Sequence, residues 1–441
     1  MLQALGVVPF VVLLACIAVL PLVPRAADWW GKPLHQLGVS LLLGLPTAAV
    51  LLATGDAAHV ASTLHEYVGF IALLGALFVI CGGIHLSGDL RATPRNNTAF
   101  LALGGVLASV IGTTGASMLL IRPLLSTNSE RARRAHTVVF AIFVMANCGG
   151  LLTPLGDPPL FLGLLRGVPF LWTLNLFGPW LFVNGVLLVA YYLMDRRLWR
   201  DEDAAHREWD ENSVEPLKLR GRRQFLLLVG VVLTVALVSS PFREIALVTL
   251  GVISWLWGEK QVRHDAGFEW DPILEVAAIF LGIFLTMPAA LKVLHHVAPS
   301  LPLNEITFFG FTGGLSAFLD NAPTYATFFD LASAMPGEPR VAGVPEAYLV
   351  AISLGAVCCG ALSYIGNGPN FMIRSVAEAQ GTPMPSFGGY LVTALRLLGP
   401  VLVSMVLIFL VGATWSIALG VAVVAVLLAL VWRPIGVSSA S

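Results

Sequence analysis

Charge is scarce in this chain: 12% of its 441 residues are Asp, Glu, Lys or Arg, while 57% are hydrophobic. Soluble domains carry roughly 25% charged residues, so an ordinary soluble fold is excluded. Cysteine is sparse too. Cys16, Cys81, Cys148, Cys358 and Cys359 all lie in apolar stretches, without metal-ligand spacing or a paired framework. That excludes a disulfide scaffold and a thiolate metal centre, and leaves small buried hydrophobes. No basic patch for nucleic acid, no cofactor signal and no catalytic soluble domain is visible. What the chain has instead is a mean hydropathy of +0.83, the mark of a polytopic membrane protein whose first partner is the lipid bilayer.

Windows of about 20 apolar residues mark candidate spans. They fall at 5–23, 34–53, 64–86, 137–163, 170–194, 224–240, 242–257, 272–291, 346–373, 388–411 and 414–432. The first lacks a positive leading region, and Pro21 and Pro24 crowd its end, so it reads as a retained span rather than a cleaved signal. Two more apolar stretches, 98–121 and 304–331, are interrupted by Gly112-Thr113-Thr114-Gly115 and Asp320-Asn321-Ala322-Pro323. Turn chemistry at mid-segment suits a re-entrant hairpin. The expectation is an all-α membrane protein of about eleven transmembrane helices plus two re-entrant hairpins. Eight Lys and Arg in 195–223 place that segment in the cytoplasm, because cytoplasmic loops collect positive charge. The N-terminus then lies outside and the C-terminus inside a bacterial-type inner membrane.

Helix-breaking residues recur. Gly156-Asp157-Pro158-Pro159-Leu160-Phe161 and Gly366-Asn367-Gly368-Pro369-Asn370-Phe371 both interrupt long apolar segments. Broken backbone at membrane depth is tolerated only where protein or a water-filled cavity satisfies it, and a matched pair is a pointer to a transporter's binding site. Glu66 matches Glu275, the two hairpin turns match with Asp320 answering Thr113, and Asp157 answers Asn367. Each unit has an odd number of crossings, so the second must be inverted. The units are 1–194 and 224–411, joined by a linker at 195–223 that reads as a solvated surface helix. An extra span and tail occupy 412–441.

The first hairpin tip offers Thr113, Thr114 and Ser117, and the first broken span Asn147, Thr153 and Asp157. In the second unit the counterparts are Asp320, Asn321 and Thr324 with Ser363, Asn367 and Asn370. Hydroxyls, carboxamides, carboxylates and freed carbonyls are hard oxygen donors, suited to a small hard cation such as sodium. Asp157 and Asp320 are the candidate metal-binding groups, because an ionisable residue inside a bilayer is costly unless paired or functional. A proton and a cation compete for such a carboxylate, and that competition is what an exchanger needs. The plainer reading is that each Asp caps a half-helix N-terminus. Glu66 and Glu275 read as interfacial or paired groups, Arg122 and Arg374 as snorkelling cations. Arg396, inside the tenth span, has no such exit and is a candidate to neutralise an acid. Two membrane aspartates could also form an intramembrane protease. Against it, Leu319 precedes Asp320, and Pro154 stands where a Gly-x-Gly-Asp motif needs its first glycine.

These stretches resemble the ion-transporter superfamily, which includes NhaD-type sodium/proton antiporters, arsenite permeases and citrate or dicarboxylate carriers. The closest look is to antiporter-like proteins with a citrate-transporter-like (CitMHS) domain. The resemblance rests on the segments Gly112 to Leu124, Asn147 to Asp157, Asp320 to Thr324 and Gly366 to Met372. It implies a homodimer with a scaffold and a moving transport domain. By similarity Thr113, Thr114, Ser117, Asn147, Thr153 and Asp157 form one half-site, and Asp320, Asn321, Thr324, Ser363, Asn367 and Asn370 the other. The preferred expectation is sodium/proton antiport by alternating access, with sodium and protons as the only ions needed and no cofactor. The runner-up is a carrier of citrate, another small organic anion or an arsenite-type oxyanion.

Overall fold

Hydropathy this high commits the backbone to satisfying itself, and helices do so locally. The computed structural model describes residues 7–202, 216–297 and 303–432. Part of the first expected span, the middle of the expected linker and the C-terminal tail lie outside the described residues. In chain order the helices are α1 (Val8–Val19), α2 (Pro24–Trp30), α3 (Pro33–Ala53), α4 (Ala57–Cys81), α5 (Pro94–Ile111), α6 (Thr113–Thr127), α7 (Ala135–Val144), α8 (Pro158–Leu165), α9 (Phe177–Arg200), α10 (Gln224–Leu237), α11 (Phe242–Trp257), α12 (Lys260–Asp265), α13 (Asp271–Val297), α14 (Glu305–Ser316), α15 (Asn321–Ser333), α16 (Glu346–Cys359), α17 (Gly368–Ala379), α18 (Phe387–Leu397), α19 (Gly399–Met405) and α20 (Thr414–Trp432). Among the described residues six helices are long and apolar enough to cross a membrane, or seven if the bent pair α18–α19 is one span. Shorter apolar helices include Gln224–Leu237 and Glu346–Leu362.

Two small ribbons accompany the helices and were not foreseen from the sequence. In the first, β1 (His85–Ser87) pairs antiparallel with β2 (Lys218–Arg220); in the second, β3 (Arg340–Val341) pairs with β4 (Val344–Pro345). The first ties the segment after α4 to the end of the expected linker.

The helices pack in two bundles. α1, α3, α4, α10, α11 and α13 form one, in which α13 lies along α3 and α4 against α11. The other holds both hairpins, both interrupted segments, α9 and α18 to α20. The bundles meet where α4 packs on α6 and α8, and where α13 packs on α15.

Both expected hairpins are helix–turn–helix units, α5–α6 and α14–α15. The first turns on one residue, Gly112, whose φ of 82° is open to glycine and strained for side chains with a Cβ. Both expected breaks are present and are built alike. After α7 a 3-10 turn covers Cys148–Leu152, Thr153 is extended, and α8 restarts on Pro158. After α16 a turn covers Gly360–Leu362, Ser363 is extended, and α17 restarts at Gly368-Pro369. Proline at a helix start loses nothing, because that N–H has no intrahelical partner.

Two sequence expectations change. α9 runs to Arg200, and the region read as a solvated linker begins as buried helix. Asp195 is 0% exposed and accepts from Arg131 Nη1 at 2.6 Å and His136 Nε2 at 2.8 Å. A charged sequence looked solvated because its partners lie some 60 residues upstream. Arg396 lies exposed on α18, with no ion pair among the described residues, so it neutralises no acid there. Trp180 donates its Nε1–H to Gly149 O at 3.0 Å, satisfying a carbonyl freed by the first break.

Candidate functional site

Each break frees backbone groups that must find partners. Thr153 uses its hydroxyl to bond Ser109 O, on hairpin helix α5, and also accepts from Leu155 N at 3.1 Å. Ser363 does the same in the other unit, donating to Ala317 O and accepting from Ile365 N at 3.2 Å. Thr113 N, the first amide of α6, donates to Gly156 O at 2.8 Å. Hairpin and break are therefore stitched together, and the restarted helices point their N-termini at one place.

Asp157 stands there. It is 1% exposed. Its Oδ1 accepts from Thr113 Oγ1 at 3.0 Å and Asn367 Nδ2 at 3.2 Å, and its Oδ2 from Asn321 Nδ2 at 2.5 Å. Thr113 begins α6, Asp157 precedes α8, Asn321 begins α15 and Asn367 precedes α17. Four positive helix ends thus face one buried carboxylate, and they offset its charge where, among the described residues, no cationic side chain contacts it. A carboxylate has about four lone-pair positions, so Oδ2 keeps one in addition to the Asn321 bond.

A chain of carboxamides continues across the middle. Asn367 Nδ2 also reaches Ala146 O at 2.9 Å and Asn147 Oδ1 at 3.3 Å. Asn147 donates to Asn370 Oδ1 at 2.7 Å, and Asn370 donates to Gly360 O at 2.8 Å and Ser363 O at 2.9 Å. Asn147, Asn367 and Asn370 are each buried, and the chain locks the first break to the second. Ser117 Oγ and Asn321 Oδ1 are buried acceptors with no hydrogen-bond partner among the described residues. Oxygen atoms of that kind fit a hard cation.

Of the twelve residues expected at the site, Thr113, Asn147, Asp157, Asn321, Asn367 and Asn370 form one continuous network. Thr153 and Ser363 shape the breaks, while Thr114 and Ser117 lie on α6 beside the network. Asp320 takes the capping role: its Oδ1 accepts from Ala322 N at 3.1 Å, and its carbonyl accepts from Thr324 Oγ1 at 3.0 Å. It is near enough to Asp157 to interact electrostatically. The helix starts also correct the repeat register. Asn321, not Asp320, occupies the first helical position that Thr113 occupies in α6. Donors cross from the second half to Asp157, so residues of both expected half-sites meet around this one acid.

Asp320→Asn separates charge from capping, since Asn caps about as well as Asp. The expected result is unchanged thermal stability with a partial loss of transport, smaller than for Asp157. Unchanged transport would leave Asp320 as a cap alone.

Among the described residues no group of three or more His, Cys, Asp or Glu could hold a metal ion. A cation here would be cargo, held by hydroxyl, carboxamide and carboxylate oxygens. The chain is 27% identical over 314 residues to an uncharacterized transporter of Mycobacterium tuberculosis, covering 67% of this chain and 72% of that protein. A second uncharacterized transporter of that organism is 26% identical over 349 residues, covering 71% and 79%. A 46 kDa membrane protein of Mycobacterium leprae is 25% identical over 320 residues, covering 67% and 72%. The family described as "Putative citrate transport" matches residues 1–410. The chain belongs to that family, and with it this is a multi-pass membrane transporter rather than an enzyme.

Proposed function

We propose that the protein is a secondary active transporter that exchanges sodium for protons by alternating access around Asp157, with Asp320 adding negative potential. The observation that carries the reading is the single buried carboxylate held by donors from both hairpins and the second break. Helix N-termini ordinarily favour an anion. Here the protein supplies that anion itself, which disfavours a second one and favours a proton or cation at the free position on Oδ2. Loading there shares Oδ2 with the Asn321 amide, so occupancy is felt at the tip of the second hairpin. In this reading the chain has eleven spans and two re-entrant hairpins in inverted repeats, lies in an inner membrane with its N-terminus outside and its C-terminus inside, works as a homodimer, and needs no cofactor.

The second reading is a citrate-type carrier of small organic anions or oxyanions, favoured by the family description. Its substrate charge would be offset by co-bound cations. Proteoliposomes separate the two. An imposed sodium gradient is expected to drive proton movement reported by a trapped pH dye. Labelled citrate uptake without proton movement would replace the antiporter by the carrier.

A further inference from the structure

Arg166, which the sequence places between the first broken span and the next, is not a solvated loop cation. Its side chain is 9% exposed, and it faces two carboxylates. Nη1 donates to Asp330 Oδ2 at 2.8 Å and to Ala326 O at 3.0 Å, while Nε donates to Glu66 Oε2 at 3.3 Å. The guanidinium also lies 5.6 Å from the centre of the Phe329 ring. Glu66 is on α4, in the first bundle. Arg166 caps α8, and Asp330, Ala326 and Phe329 are on α15, all in the second bundle. Three of the four contacts therefore stay within one bundle, and one crosses to the other.

We infer that Arg166 is a positioning residue that latches the two bundles in this conformation, releasing Glu66 and keeping Asp330 when the bundles move apart. The inference rests on the alternating-access reading and extends it, by naming an ion pair that must break in each cycle. A planar guanidinium with five donors in a fork is suited to holding two acids at once. Asp330 is the closer acid, and it travels with Arg166. It also draws on the same positive charge as Glu66, so the cross-bundle contact is weakened by its presence. A latch weakened in this way holds the state without trapping it.

That competition gives the test an asymmetry that a merely structural ion pair lacks. Gly69 on α4 abuts Leu165 on α8, with a Cβ at Gly69 lying 3.3 Å from Leu165 Cδ2. Cysteines at 69 and 165, in a background with the five native cysteines replaced, report this conformation through the initial rate of mercury cross-linking. Glu66→Gln is expected to lower that rate several-fold. Asp330→Asn leaves Glu66 as Arg166's remaining carboxylate among those described here, and is expected to raise the rate while slowing transport. Both variants shifting the rate in the same direction, or neither shifting it, would overturn the latch. Size-exclusion profiles check that each variant is folded. Cross-linking reads bundle position whatever is carried, so failure of sodium exchange and failure of the latch are separate outcomes.

Discussion

Asp157→Asn is expected to abolish exchange while leaving the protein folded. The carboxamide keeps the side chain's shape but places an NH2 group where the carboxylate now accepts from Thr113, Asn367 or Asn321. A donor then faces a donor, at a cost of about 1–3 kcal/mol for the bond lost. Removing a buried charge offsets part of that cost, so thermal stability should change little. Function has no such offset. Losing the charged partner of a bound ion costs about 3 kcal/mol or more, and each 1.4 kcal/mol is about tenfold in affinity. Sodium-driven proton movement in proteoliposomes should therefore fall by roughly two orders of magnitude at fixed ion concentration. Retention of wild-type flux would leave Asp157 as a structural acceptor that joins the two halves.

Gly156→Ala is expected to be the most destabilising single change near the site. A Cβ at Gly156 would meet the Gly150 backbone, and a Cβ at Gly150 would lie 3.0 Å from Gly156 O and 2.7 Å from Thr113 Cγ2. Backbone atoms cannot rotate away as a side chain does. The strain therefore falls on the turn that holds Thr113 N against Gly156 O. Overpacking costs about 1–3 kcal/mol and occasionally more, and a clash with backbone lies at the upper end. Gly366→Ala meets the same obstacle, since its Cβ would lie 2.5 Å from both Gly360 O and Ser316 O. Gly185→Ala and Gly310→Ala are the controls, because nothing lies within 4 Å of either added Cβ. A large drop in Tm in detergent for the first pair, and none for the controls, is the expected pattern. Equal tolerance at all four positions would mean that the breaks do not depend on close backbone approach.

The breaks were legible because clustered Gly, Pro and Asp or Asn disfavour helix continuation, and the segments around them are strongly apolar. Both hairpins were legible for the same reason, to within a few residues at each end. The acids and amides of the site were nameable because polar groups at membrane depth stand out against their surroundings. Who bonds whom was not legible. Asn321 and Asn367 reach Asp157 across 164 and 210 residues, and periodicity carries no information over that distance. The same holds for Arg166 with Glu66 and Asp330, and for Asp195 with Arg131. A loop cation and a linker acid look solvated until the chain is folded around them.

The long reach of these bonds has a consequence in time. Asp157 is synthesised 210 residues before Asn367, one of its three donors, and synthesis at about 5–20 residues per second puts roughly 10–40 s between them. Until Asn321 is made, the nascent first half holds its central acid with Thr113 alone. Nascent chains arrested before residue 321 should therefore leave Asp157 accessible to water or to an insertion factor, and those arrested well beyond 367 should not. The order of translation thus becomes a constraint on assembly: the first half is threaded early but cannot close around its acid until the second half arrives.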